Sequence, residues 1–337
     1  MPDRLGPMGY WRNPLDDPQR TVDEDRRMLA RMEDLVPARF SVVAEPELDP
    51  EMVEKCIQQG KDNHGVESGW DFTWAEEIAG IRLDTQFRQL IGSCVATSHI
   101  SLLATKMLHQ VLIGGEGQEL LGRTVHGPTS ICPFGPYSYR TGRKYAGING
   151  RGDGSTCSGQ LRGTMALGFL PCDTDGLQSD FFPEPKSTSL YRQWGSNDTL
   201  MNRWTQTAGV YDLLNTVQIR TEEEVWKHIV ELHEPIQICS GWGFAATSRR
   251  LPNGDILYTR RGSWAHSMQL QAGVTMSDGN RYYKVRNQWG NAHSGKNYFW
   301  VTAEEMGRWI RNSSSFSIGR IVMRPAPDNP PVFPVGQ

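Results

Sequence analysis

From Cys94 to Ile113, apolar residues recur every three or four positions, at Ala96, Ile100, Leu103, Met107 and Val111. Val95, Leu102, Leu108 and Leu112 widen that stripe. The spacing predicts a helix, and one apolar over so much of its circumference is normally buried between other elements. Gly114-Gly115 supplies its stop. The same period predicts a helix over Thr21 to Leu35, with Thr21 as N-cap and Glu24 completing a capping-box pattern. A short helix is expected from Asp49 or Pro50 to Gln59, and another from near Ser158 through Leu161 to Leu167, stopping around Gly168. The stretch from Gly122 to Gly154, rich in Gly, Pro and aromatics, is expected to carry little regular structure.

The later pattern differs. Leu214 to Arg220, Ile236 to Cys239, Ser267 to Val274, Tyr282 to Asn287 and Tyr298 to Thr302 read as strands. Thr221 caps a helix whose first turn, Glu222 to Glu224, suits the positive end of the helix dipole, and Pro235 closes it. Asn253-Gly254 is a hairpin signal. The chain is therefore helical first and β-rich second, an α+β arrangement with no internal repeat.

Length and punctuation divide it further. The 337 residues suffice for about two domains or one domain in two lobes. Residues 1–80, broken by Pro2, Pro7, Pro14, Pro18, Pro37, Pro46 and Pro50, read as an arm for protein partners or as an inhibitory propeptide. Residues 81–190 form the helical part and 191–323 the β-rich part. The tail, 324–337, holds five prolines and is expected to be extended or disordered.

Charge and cysteines narrow the function. The formal net charge is −3, with Lys and Arg scattered, so the clustered basic footprint of a nucleic-acid binder is missing. No stretch approaches the roughly 18 apolar residues that cross a membrane. Met1 to Gln19 shows no apolar secretory region, so a cytoplasmic protein is expected. The six cysteines (Cys56, Cys94, Cys132, Cys157, Cys172 and Cys239) are accordingly expected to be mostly reduced. No two of them form a Cys-x-x-Cys pair, so neither zinc nor another cofactor is expected, although His126 lies near Cys132.

Three separated segments carry candidate chemistry: Gln89-Leu-Ile-Gly-Ser93-Cys94, Ser263-Trp-Ala-His266-Ser-Met268, and Val285-Arg-Asn287-Gln-Trp289-Gly290. A cysteine attacks as thiolate, which a helix N-terminus and a neighbouring imidazolium both favour. Cys94 opens the buried helix, and His266 lies just before a predicted strand that can bring it close. Asn287 can orient the imidazole through its amide oxygen, beside an aromatic wall from Trp289. Each piece alone is weak, since a cysteine at a helix start is more often a small buried hydrophobe.

Together the segments resemble the three signature blocks of the papain-like cysteine peptidases. Gly92-Ser93-Cys94-x-Ala96 is similar to the family's nucleophile block, and Asn287-Gln-Trp-Gly290 to its Asn-Ser-Trp-Gly block. Tyr298-Phe299 is similar to its Gly-Tyr-Phe strand. Cys157-Ser158-Gly159 resembles a Cys-Ser-Gly segment that helps line the substrate cleft. The resemblance covers roughly residues 85 to 305. It implies a two-lobed fold, a helical lobe carrying Cys94 and a β-barrel-like lobe carrying His266 and Asn287, with the cleft between.

The departures are specific. The family's oxyanion-hole Gln stands six residues before the nucleophile, where this chain has Arg88; Gln89, one residue closer, is expected to take the role. Val95 replaces a Trp, and Ala265 and Ser267 flank the histidine. Ile91 replaces a cysteine that would pair with one like Cys157, so that bridge is not expected. The resemblance implies hydrolysis of a protein or peptide substrate by Cys94, His266, Asn287 and Gln89, supported by Trp289 and Ser93. The alternative is the same scaffold used as a structural or interaction protein, for example a virion component, with the arm and the tail as its contacts.

Overall fold

The protein is described by a computed structural model over residues 18–35, 49–79, 89, 91–113, 133–149, 152–172, 174, 177, 188–290 and 292–323. The Pro-rich tail, the Gly114-Gly115 stop, Arg88, His126 and Cys132 lie outside the described residues.

Helix α4 (Cys94–Leu112) is buried along nearly its whole length, as its wide apolar stripe requires. Around it stand α1 (Pro18–Leu35), α5 (Gly135–Tyr145), α6 (Cys157–Leu167), α7 (Thr188–Gly195) and α8 (Asp198–Ala208). Their shared core includes Leu102, Leu103, Phe134, Tyr137, Phe169, Trp194 and Met201. Gly168 ends α6 at φ 70°, and a Cβ there would lie 1.9 Å from the Ala208 carbonyl oxygen, so no other residue fits.

Seven strands form one sheet: β1 (Val66–Asp71), β2 (Tyr211–Gln218), β3 (Ile236–Arg250), β4 (Ile256–Met276), β5 (Arg281–Arg286), β6 (Tyr298–Thr302) and β7 (Ser313–Met323). The order is β2-β7-β3-β4-β5-β6, with β1 added to β4. These pairings are antiparallel except for one parallel contact, Leu257 to Trp300, through which β4 also meets β6 and curls the sheet. A second core lies against it, with Trp70, Trp74, Met268, Tyr283, Val285 and Trp309 fully buried. α9 (Glu222–Trp226) opens on the expected Thr221 cap, with a full capping box to Glu224, and continues as a π turn, Lys227–Glu231. α10 (Ala303–Arg311) links β6 to β7 and packs against α9, β5, β6 and β7.

Several expectations change. α1 starts at Pro18, whose fixed φ suits a first helical position, so Thr21 lies inside the helix rather than before it. α2 (Pro50–His64) is longer than expected. Asp49 caps it, accepting from the Glu51 and Met52 amides at 3.0 and 3.4 Å, and Gly65 ends it at φ 62°. Residues 66–79 are core rather than arm: β1 pairs with β4, and Trp70 of β1 and Phe72 and Trp74 of α3 (Phe72–Ala79) are buried. The Gly- and Pro-rich stretch contains α5. Its Pro136 sits in the first turn, and Gly142 brings the helix close enough to α6 that a Cβ would lie 2.2 Å from Gln160 Oε1. β3 and β4 run well past their expected ends, to a hairpin at the Asn253-Gly254 turn, where Gly254 has φ 85°.

The expectation of mostly reduced cysteines meets one exception among the described residues, where Cys56, Cys94 and Cys172 remain thiols. Cys157 at the start of α6 is bonded to Cys239 on β3, a bridge between the helical core and the sheet across 82 residues. Ile91 removes one possible partner, and the fold supplies another. Cys56, by contrast, is a buried thiol pushed up to about 11 by burial.

Candidate active site

Cys94 is the first residue of α4 and is fully buried, with Ser93 as N-cap. Ser93 makes no side-chain cap; its hydroxyl meets Thr97 Oγ1 at 3.2 Å, and its amide donates to the Ile91 carbonyl at 2.6 Å. The helix therefore opens with Cys94 at its N-terminal end, where anionic charge is favoured.

His266 stands in the middle of β4, opposite Ser240 on β3, and is fully buried. Its Nε2 lies 2.8 Å from Oδ1 of Asn287, the residue directly after β5. Its Nδ1 is buried and makes no hydrogen bond. Trp289 stacks on the imidazole at 4.4 Å between centroids, and Trp264 packs against Trp289 at 4.9 Å. Burial lowers His266 to about 4, while the Asn287 hydrogen bond acts in the opposite direction. A charged His266 therefore needs an anion beside it, because an uncompensated buried charge is costly.

Gln89 is tied into the same wall. Its amide donates to the Ile91 carbonyl at 2.8 Å, and its Oε1 accepts from the Trp289 indole N–H at 3.0 Å. Its backbone N–H donates to the Gln288 carbonyl at 2.8 Å. One amide hydrogen remains beyond the bond to Ile91.

A polar seam joins α4 to the sheet. Gln237 on β3 donates to the Val95 carbonyl at 2.8 Å, to Ser98 Oγ at 2.7 Å and to Ser267 Oγ at 3.0 Å. Ser98 and Ser267 also meet at 2.6 Å. Val95 follows Cys94 and Ser267 follows His266, so this amide sets the register of the two segments. A Gln in the apolar run Ile236-Gln-Ile238 was the available signal for it. His293 carries a fainter one: its ring approaches the Asn287 amide at 2.7 Å, and only the fold brings it there.

The Cys157-Ser158-Gly159 segment is buried. The Cys157 and Ser158 amides donate to Asp25 of α1 at 3.0 and 2.9 Å, and Ser314 Oγ donates to the same carboxylate at 2.6 Å. Burial pushes the Asp25 carboxyl up against the pull of these donors. The segment thus anchors α1 and, through the Cys157–Cys239 bridge, the sheet, and Cys157 shares a core cluster with Cys94 and Ala265. Among the described residues no group of three or more metal-ligating side chains occurs.

A helical core whose buried helix begins at a cysteine, set against a curled sheet that presents a paired His and Asn, makes this an α+β fold with the candidate residues on its two parts. Solved structures similar to the chain include xylellain, a cysteine protease from Xylella fastidiosa, at 15% identity and TM-score 0.48 over 92% of this chain and 95% of that one. ProCathepsin B from Trypanosoma congolense is similar at 12% identity and TM-score 0.44, covering 83% of each chain. The proform of the ragweed pollen cysteine protease Amb a 11 is similar at 11% identity and TM-score 0.44, over 93% and 91%. No protein-family model matches the chain, and no curated protein does.

Proposed function

We propose that the protein is a papain-like cysteine peptidase that cleaves peptide bonds through an acyl-enzyme. The observation that carries the reading is the His266–Asn287 contact at 2.8 Å, which leaves Nδ1 as the one ring nitrogen able to serve a nucleophile. Cys94 Sγ attacks the scissile carbonyl while its proton passes to His266 Nδ1. The resulting imidazolium then protonates the leaving amine, and the acyl group stays on sulfur until water, deprotonated by His266, releases it. Asn287 holds the tautomer, and Trp289 keeps water from that bond. The spare Gln89 amide hydrogen and the Cys94 backbone N–H receive the developing oxyanion. Because Cys94 and His266 are both buried, substrate entry requires the site to open.

Alkylation of Cys94 tests this directly. With His266 assisting, the iodoacetamide rate is flat across neutral pH and falls only on the acid side. An unassisted thiol instead climbs through a pKa near 8.5. The flat region should disappear in His266→Ala. A wild-type profile that follows an ordinary thiol, unchanged by His266→Ala, defeats the proposal.

A further inference from the structure

We infer that His293 is a positioning residue for the site: it locks the Asn287 amide in the one orientation that presents an acceptor oxygen to His266. The inference rests on the reading of Cys94, His266 and Asn287 given above and extends it by one residue. The two ends of an Asn side chain are nearly the same shape, so packing alone does not choose between them. Turned the other way, Asn287 would offer an N–H to His266 Nε2. The ring proton would then move to Nδ1, and that nitrogen could no longer take a proton from Cys94.

What selects the orientation is the group on the far side of the amide. Asn287 Nδ2 lies 2.7 Å from His293 Nε2, so this ring must accept there and carry its own proton on Nδ1. The backbone fixes the ring. His293 and Lys296 exchange both of their backbone hydrogen bonds, at 2.9 and 3.0 Å, around Ser294 at φ 52° and Gly295 at φ 84°. The backbone N–H of Asn287 meanwhile donates to the Asn297 carbonyl at 2.7 Å, closing the loop on itself. Tyr258 and Phe299 pack on the ring at 5.2 and 4.9 Å. His266 beyond the amide, Tyr258, and the Lys296–Asp255 pair are the titratable groups around it. Burial holds His293 to about 4, which keeps it a neutral acceptor at neutral pH. The chain His266, Asn287, His293 is therefore a relay with a single consistent set of donors and acceptors.

Nitrogen-15 NMR of the full wild-type chain at neutral pH should find opposite tautomers, His266 protonated on Nε2 and His293 on Nδ1. A His293 protonated on Nε2 overturns the inference without any variant. His293→Phe keeps a ring among Tyr258, Trp289 and Phe299 but removes the acceptor, whereas His293→Gln keeps an acceptor oxygen. The Phe variant should mix the His266 tautomers and slow Cys94 alkylation at neutral pH by about 10–100-fold, the scale on which outer partners act at metal-bound histidines. The Gln variant should regain most of that loss. If Phe reacts like wild type while Asn287→Ala is slow, the His293 role is wrong and the triad stands. If wild type, His266→Ala and Asn287→Ala all alkylate alike, the peptidase reading fails, and the wild-type tautomers alone decide the His293 contact. Should the Phe variant not fold, the wild-type spectrum and the Gln variant still give the answer.

Discussion

At Gln89 the chain departs from the spacing its motifs resemble, and the fold accommodates the shift by holding the side chain between Ile91 and Trp289. The amide therefore serves two purposes: it pins the wall over His266 and keeps one hydrogen for an oxyanion. These separate experimentally. Alkylation builds no oxyanion, whereas amide hydrolysis does. Gln89→Ala should lower kcat/KM on a peptide substrate by about 10²–10³, the usual loss of one oxyanion donor, and leave the Cys94 alkylation rate close to wild type. An equal fall in both rates would instead mean that Gln89 acts through Trp289.

Among the elements, α4, the Thr221-capped helix and the Asn253-Gly254 hairpin were legible because capping, turn chemistry and apolar period are local signals. Cys94, His266 and Asn287 were legible as motifs. β1 was not: Val66-Glu-Ser-Gly-Trp70 is too short to show alternation, and its burial comes from pairing with β4, two hundred residues away. The partners of Gln237 and Asp25 were hidden for the same reason, since each acts across a long sequence separation. His293, by contrast, lies near Asn287 in sequence and meets it only through the turn that pairs His293 with Lys296. The Cys157–Cys239 bridge belongs with Gln237 and Asp25. It joins α6 to β3 just where Asp25 fastens α1 to the α6 N-terminus. A closed loop of this length limits the unfolded chain, so Cys239→Ser should cost about 2–5 kcal/mol. Urea unfolding with and without reductant checks it: the wild type should fall to the level of the variant when reduced, and the variant should not respond.

For the whole molecule, the buried imidazoles set the response to acid. His99, His233, His266 and His293 are each lowered to about 4 by burial, and His109 is lowered well below the ordinary imidazole value for the same reason. The unfolded chain takes up these protons near pH 6.5, the folded chain only near 4, so the unfolded state binds more of them in between. Stability is thus complete above about pH 6.5 and is lost as pH falls toward 4, by up to about 1.4 kcal/mol per pH unit for each ring. Asp25 opposes the trend, because its raised carboxyl favours the folded state when protonated. Thermal midpoints from neutral to acid pH should fall steadily, and a midpoint unchanged down to pH 5 would contradict the neutral rings. The bridge sets a different limit, one of length. Pulled from its two ends, the oxidised chain cannot reach its full contour. The stretch from Cys157 to Cys239, a separation of 82, stays gathered as a loop, leaving the tether roughly 270–295 Å short of the extension that the reduced chain attains.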